Sequence, residues 1–234
     1  MRLLDTIPAS LDGTSFASTL EGLHAIYERI ERAQSASLAA IAGRGPALIC
    51  PEDCGICCEG FVPDVLPVEA RYLAAWILRH RPELVDEILN RPDTETAPPC
   101  PFHDAARSGG HCSVYPARPL ICRLFGFAAL RDKEGQESYS LCRRMPSRAG
   151  KRSWSGPDLE VELGAALPDM ADFGALAAAL APQEAGDRRL LNQALPIALR
   201  QLSYRIDLAK LESGGDPGGD EPEPEPSAPQ PRAA

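Results

Sequence analysis

The distribution of cysteine constrains this chain more than any other feature of its sequence. All eight cysteines lie between residues 50 and 142 of the 234-residue chain, and the flanking segments have none. Cysteines that serve as small core side chains would be scattered more evenly along the chain. The confinement therefore predicts one dedicated centre built from Cys50, Cys54, Cys57, Cys58, Cys100, Cys112, Cys122 and Cys142.

The first four cysteines follow the spacing Cys50-x3-Cys54-x2-Cys57-Cys58. Two cysteines with two residues between them, on a tight turn, can point at one ion, as in zinc and iron–sulfur sites. Gly55, between them, supplies backbone freedom for such a turn. Successive side chains usually diverge, so we expect Cys57 and Cys58 to serve two metals, or two corners of one cluster.

Disulfide bonding is the main alternative use of eight cysteines. The first residues lack the charged-then-apolar layout of a signal peptide, and no apolar stretch reaches the roughly 18 to 20 residues that span a membrane. Both observations predict a cytoplasmic protein outside the membrane, where thiols stay reduced. We therefore expect all eight cysteines to act as metal ligands.

Charge bears on the choice of partner. The net charge of −9 argues against a protein that coats DNA or RNA. One segment, residues 143–152, is basic and is followed by Trp154, which could stack on a base. A solvated loop is the interpretation we favour for it, so a metal ion is the expected partner and nucleic acid is not.

Hydrophobic periodicity predicts a mainly α protein. Apolar residues at three- and four-residue steps predict a helix over Ser15–Ala42, interrupted on its apolar side by Gln34 and Ser37. A second helix is expected to begin at Pro67, and further helices over residues 82–90, 119–130, 169–181 and 187–212, the last containing Pro196. No useful period-2 alternation is present, so the sequence predicts a helical frame around an irregular, metal-bound, cysteine-rich centre.

Four segments follow from these patterns. Residues 1–49 form an N-terminal helical segment, 50–145 a cysteine-cluster metal-binding domain, and 146–212 a C-terminal helical segment that packs on it. Residues 213–234 are rich in Pro, Gly and acidic side chains and have no large apolar one. Such a composition cannot offset the entropy cost of ordering by burial, so this tail is expected to be disordered.

The motifs resemble those of the YkgJ-type cysteine-cluster family, which is described as chelating zinc or iron. Three strings carry the resemblance: Cys50-Pro-Glu-Asp-Cys54-Gly-Ile-Cys57-Cys58, then Ala97-Pro-Pro-Cys100-Pro-Phe, then Cys112-Ser-Val-Tyr-Pro-Ala-Arg-Pro-Leu-Ile-Cys122-Arg. The first gap has three residues, whereas the family pattern CxxCxxCC has two. The resemblance implies metal chelation. A related pattern in flagellin lysine N-methylases keeps an enzyme interpretation open.

Side chains near the cysteines could support the metal. Guanidinium groups would offset the negative charge of the thiolates, and Arg123 is the first candidate among Arg118, Arg123, Arg143 and Arg144. The alternative is that these arginines pair with local acids. Extra ligands could come from His103 or His111, or as oxygen ligands from Glu52, Asp53 or Glu59, although solvent-exposed positions are the simpler expectation.

Three functions remain open at this point. The first is a cytoplasmic protein that chelates zinc or iron, with an iron–sulfur cluster as one form of the site. The second is a redox or methyl-transfer enzyme that uses such a cluster. The third is an adaptor in which zinc is purely structural. No phosphate-binding loop, nucleophile elbow or His-Glu-x-x-His pair is present, so the sequence assigns no catalytic residue.

Overall fold

A computed structural model of the chain describes residues 14–42, 48, 54–92, 99–106, 111–156 and 159–212. Helices dominate the described regular structure, which confirms the mainly α prediction. The helices are α1 (Ser15–Ala42), α2 (Pro67–His80), α3 (Val85–Asn90), α4 (Leu120–Leu124), α5 (Leu159–Leu163), α6 (Met170–Ala179) and α7 (Leu191–Glu212). The predicted disorder of residues 213–234 lies outside the described residues.

Helix α1 has the predicted bounds, and its apolar stripe faces the core. Leu20, Leu23 and Ile30 are completely buried. The two polar interruptions also face inward, where they bind backbone groups. The Gln34 side-chain amide donates to the Arg123 carbonyl at 2.6 Å, and the Ser37 hydroxyl donates to the Ala166 carbonyl at 2.7 Å. The polar side chains therefore fix α1 to two later segments.

Helices α2 and α7 pack along each other and, with α1, enclose the main core. Pro67 opens α2 at its first turn, where a missing N–H costs nothing. Helix α7 contains Pro196 as expected, but it begins at Leu191 rather than at residue 187. The preceding strand β7 (Arg189–Leu190) pairs with β1 (Asp64–Val65), so these residues are extended.

The prediction of a helix over residues 119–130 is wrong about where the helix ends, because α4 ends at Leu124. Gly126 adopts φ +78°, in the left-handed region that terminates helices. The chain then enters a three-stranded antiparallel sheet of β4 (Leu130–Arg131), β5 (Glu137–Ser140) and β6 (Ser153–Ser155). Strands of two to four residues are too short to give a detectable period-2 pattern.

The sheet also gives the basic segment that follows Cys142 a structural role. Trp154 lies in β6 with only 8% of its surface exposed and stacks on Tyr139, with ring centroids 5.8 Å apart. A buried indole cannot stack on a base, so that role for Trp154 is wrong. Arg152 donates to the Met145 and Cys142 carbonyls, which makes part of the segment a structural turn.

None of the helices in the described part of the chain combines the length and the apolar character that crossing a bilayer requires.

Candidate metal centre

Three chain segments bring cysteines together against the main core. The first is the 3-10 helix Ile56–Glu59, which carries Cys57 and Cys58. The second is the hairpin of β2 (His103–Asp104) and β3 (His111–Cys112), with Cys100 just before it. The third is α4, which carries Cys122. The backbone joins the first two, because the Cys100 N–H donates to the Cys58 carbonyl at 2.7 Å and Cys54 forms a β-bridge with His111.

The Cys58 thiol lies at the middle of this group. Its side chain makes hydrogen bonds with those of Cys100, Cys112 and Cys57, and these bonds raise the pKa of Cys58 far above its ordinary value. The same bonds act in the opposite direction on the three partners. The hydrogen bond from Cys58 lowers the pKa of Cys57 to about 6, and it also lowers the pKa of Cys100 and of Cys112. Hydrogen bonds from the Cys58 thiol thus favour the thiolate form of its three partners.

Backbone N–H groups also stabilise the thiolates. The N–H of Phe102 donates to the Cys100 sulfur, and the N–H of Val114 donates to the Cys112 sulfur. In both cases the donor lies two residues after the cysteine, so the two sides of the hairpin use the same local geometry. Hydrogen bonds to sulfur favour the charged form, which is the form that binds metals.

The donor chemistry fits zinc or ferrous iron, since thiolates are the ligands these ions take in tetrahedral sites. The side chains as placed are not a finished coordination shell. Within the described ranges, no three or more His, Cys, Asp or Glu side chains are disposed so that they could hold a metal ion. The thiols hydrogen-bond to one another instead, so metal binding requires deprotonation of the thiols and a reorientation of the sulfurs.

Cys122 and Cys54 complete the lining of the same cavity. The surrounding protein desolvates the Cys122 thiol, and the neighbouring thiolates of Cys100, Cys57 and Cys112 repel negative charge there. Both effects raise the pKa of Cys122 well above its ordinary value. The space between the cysteines has a volume of about 20 Å³, which is room for one water-sized particle. Both of the adjacent cysteines, Cys57 and Cys58, face this one cavity, so the expected divergence of their side chains does not occur.

Among the described cysteines, Cys142 lies apart from this group. Cys142 does not line the cavity; it packs at the edge of a second apolar cluster that includes Met145 and Tyr139. Cys142 also packs closely on Gly126, since a Cβ added at Gly126 would lie 3.2 Å from the Cβ of Cys142. Cys50 lies outside the described residues, as do Glu52 and Asp53.

The arginine that accompanies the thiolates is Arg118. Arg118 lines the cavity, and its positive charge lowers the pKa of both Cys57 and Cys112 in addition to the hydrogen bonds from Cys58. Its guanidinium carbon lies 3.8 Å from the centre of the Tyr115 ring, which holds it in place. The Tyr-Pro-Ala-Arg spacing is the sequence signal for this contact, since a short 3-10 turn over Tyr115–Ala117 brings the two side chains together.

Arg123, the first candidate from the sequence, has a structural role instead. Its buried guanidinium donates to Glu31 at 2.7 Å, to the Pro116 carbonyl and to the Arg118 carbonyl. It also lies over the Tyr27 ring. It therefore ties α1 to the turn that carries Arg118. The alternative that these arginines pair with local acids is correct for Arg123.

The remaining candidates lie around the rim. Arg143 forms an ion pair with Glu59 and donates to the Ile56 carbonyl at 3.1 Å, so it clamps the 3-10 helix. Arg144 is exposed. His103 and His111 are partly buried in the β2–β3 hairpin, but neither lines the cavity, and Glu59 does not line it either.

Sequence reasoning missed the role of Glu69, which holds the third segment in place. Its carboxylate is 2% exposed and accepts the N–H of Leu66 at 2.9 Å and that of Leu120 at 2.7 Å. The first bond closes the start of α2, and the second fixes the start of α4, two residues before Cys122. The position of Glu69 near a helix N-terminus was visible in the sequence, but its bond to α4 is a tertiary contact.

Gly55 is required for close approach rather than for backbone freedom. Its φ of −107° is open to any residue, but a Cβ there would lie 2.5 Å from the carbonyl carbon of His111. A contact below 3 Å with the backbone forces the two segments apart. We expect Gly55→Ala to lower the free energy of unfolding by about 1 to 3 kcal/mol, as overpacking does, and to reduce metal retention.

Gly60→Ala is the matched control for this prediction, because a Cβ at Gly60 would meet nothing within 4 Å. Urea unfolding of both variants and metal analysis after gel filtration measure the effect. Equal stability of the two variants would show that the 3-10 helix does not need its close contact with β3.

Comparison with known families agrees with the cysteine pattern. Residues 49–143, roughly two-fifths of the chain, match the family model CxxCxxCC, described as "Putative zinc- or iron-chelating domain". The resemblance found in the sequence motifs is confirmed, and metal chelation is the activity that the family description supports. No curated protein and no solved structure matches the chain.

Proposed function

We propose that this protein binds one zinc or iron ion through the thiolates of Cys57, Cys58, Cys100 and Cys112. The contact of the Cys58 thiol with the other three sulfurs carries the proposal. Four thiols grouped in this way form an anionic site when they lose their protons, and the hydrogen bonds from Cys58 favour that loss at its three partners. A divalent cation is the ligand that best replaces the lost protons.

The size of the cavity favours a single ion over an iron–sulfur cluster. A volume of about 20 Å³ accommodates one atom-sized ligand, whereas a cluster would need the surrounding side chains to move apart. Arg118 would offset part of the negative charge of a four-thiolate site. Cys122, whose pKa is raised by burial, would remain a neutral thiol beside it.

The state of the cysteines supports metal over disulfides. All seven cysteines in the described part of the chain are free thiols. Such thiols persist in a reducing compartment such as the cytoplasm, where we place this protein. A four-thiolate site keeps no open coordination position for a substrate, so binding and structural support are favoured over catalysis at the ion.

Metal analysis of protein purified without oxygen tests the proposal. We expect about one zinc or iron ion per chain, no acid-labile sulfide, and no broad visible absorption from a cluster. Two or more irons with an equal amount of sulfide would replace the single-ion site by a cluster. Folded protein that purifies without metal and takes up none on titration would overturn the proposal.

Metal affinity should depend on pH. The pKa of Cys57 lies at about 6, below its ordinary value of 9.0, so its thiolate is lost as the pH falls through about 6. Protons and metal then compete for the same sulfur, and affinity should drop steeply below that pH while changing less above it. Competition titrations with a chromophoric chelator between about pH 5 and pH 8 measure this, and affinity that stays constant down to pH 5 would contradict it.

A further inference from the structure

Helix α7 has a second apolar face that the described part of the chain leaves exposed. Its inner face packs on the core through residues that include Leu195, Leu199 and Leu202. The other face carries four exposed apolar side chains, with exposures from 39% to 66%. With one glutamine among them, these residues form what we call the outer seam: Ile197, Gln201, Tyr204, Leu208 and Leu211.

The spacing within the outer seam is that of a coiled coil. Its residues alternate four and three positions apart, which places Gln201 and Leu208 at a positions and the other three at d positions of a heptad. An amphipathic helix that packs on one core needs only one apolar face. A second face with heptad spacing indicates packing against another helix.

We propose that the outer seam binds the outer seam of a second copy of this chain, with the two α7 helices antiparallel. The charges beside the seam select the occupant and its direction. In a parallel pair, Arg200 would face Arg205 of the partner subunit, and Asp207 would face Glu212 of the partner subunit. Both contacts are between like charges and are unfavourable.

In the antiparallel pair, opposite charges meet instead of like charges. When Gln201 packs level with Tyr204 of the partner subunit, Arg200 lies within about 3 Å, along the helix axis, of Asp207 of the partner subunit. Two-fold symmetry makes this favourable contact occur twice. On the other side of the seam, Arg205 of the partner subunit lies beside the buried Ala198, at a groove whose lining carries both signs of charge: Arg71, Glu184, Asp187 and Arg189. The chain is therefore complementary to itself in this one orientation.

The same register fills a groove at the start of the seam. A groove of about 180 Å³ lies beside Ala194, Ile197 and Gln201, between α7 and α2. In the antiparallel pair, Leu211 of the partner subunit lies level with Ala194, and Leu208 of the partner subunit lies level with Ile197. The most exposed leucine of the seam is thus placed at the groove, where contact with the apolar part of the lining, Ala194 and Ile197, contributes hydrophobic free energy.

The helix that carries the seam is already held by the core, so association orders no new segment. The seam extends over about 21 Å at 1.5 Å per residue, which is short for a coiled coil. We therefore expect a reversible dimer, with a dissociation constant in the micromolar range.

Sedimentation equilibrium of the full-length, metal-loaded protein over concentrations up to on the order of 100 μM tests the proposal. The wild type should show a concentration-dependent dimer, and Leu208→Glu should raise the dissociation constant at least about tenfold. Val161→Glu is the matched control, because Val161 is 75% exposed on α5, away from the seam. A wild type that stays monomeric at every concentration overturns the proposal, whatever else covers the seam.

Charge reversal separates the two directions. Arg200→Asp should weaken an antiparallel dimer, because it faces Asp207 of the partner subunit, and a second change, Asp207→Arg, should restore it. In a parallel dimer the first change would strengthen association instead. The proposal does not depend on the metal, so the metal content and the oligomeric state measured on the same wild-type sample distinguish its failure from that of the proposed function.

Discussion

Cys58→Ser should abolish metal binding and destabilise the cysteine-bearing segments. The Cys58 thiol contacts the sulfurs of Cys57, Cys100 and Cys112, so its loss removes the sulfur around which the others are grouped, which is one of the four proposed ligands. Serine is nearly the same size but does not provide a thiolate. We expect the metal content to fall from about one ion per chain to near zero and the midpoint of thermal unfolding to drop strongly, because metal binding and folding are linked.

Cys142→Ser provides the control for this variant. Cys142 lies at the edge of another apolar cluster and does not line the cavity, so the substitution should leave the metal content unchanged. Metal analysis after gel filtration and thermal unfolding with and without a chelator measure both variants. If Cys58→Ser kept its metal, or if Cys142→Ser lost it, the assignment of the four ligands would be wrong.

Glu69→Ala should lower the free energy of unfolding by about 2 to 5 kcal/mol. The substitution leaves the buried N–H groups of Leu66 and Leu120 without an acceptor, at about 1 to 3 kcal/mol each. It also removes the fixed start of α4, which carries Cys122. Glu69→Gln should cost less, because its amide oxygen can still accept one of the two N–H groups.

The exposed ion pair of Glu87 with Arg91 gives the comparison for Glu69. Such pairs contribute little, so Glu87→Ala should change the stability by no more than about 1 kcal/mol. Urea unfolding at neutral pH measures all three variants. Equal effects of Glu69→Ala and Glu87→Ala would show that the two buried N–H groups find other acceptors.

Burial also predicts how Glu69 responds to pH. Desolvation raises the pKa of Glu69 above 4.5, so the folded state holds this proton more tightly than the unfolded state does. The contribution of this group to stability therefore falls as the pH rises from about 4.5 through the raised value. Glu69→Gln should lose this part of the pH dependence.

Local pattern was enough to predict the helices with long apolar faces. Helix α1 has the bounds that its three- and four-residue periodicity indicated, and α2 begins at Pro67 as expected. The short elements were not predictable in the same way. Helix α4 ends at Leu124, and three strands follow it, because turn geometry and pairing with distant residues outweigh propensity over so few positions.

The candidate site was likewise predictable from the sequence only in part. The cysteine spacing in the sequence predicted a metal centre and the family model that residues 49–143 match, because closely spaced thiols have few other uses where thiols stay reduced. From the sequence alone, all eight cysteines were expected to be ligands, and Arg123 was preferred to Arg118 as the arginine that offsets the thiolate charge. It also gave Gly55 the wrong physical reason, since the constraint there is the proximity of His111.

The sequence by itself thus determined that this protein has a helical frame and a cysteine centre, since periodicity and spacing are local properties of the chain. Only the tertiary structure decided which thiols meet, that Cys142 lies apart, that Arg118 supplies the charge, and that α7 exposes a second apolar face. Each of these depends on contacts between residues far apart in sequence. Such contacts follow from how the helices pack on one core, and no local pattern records them.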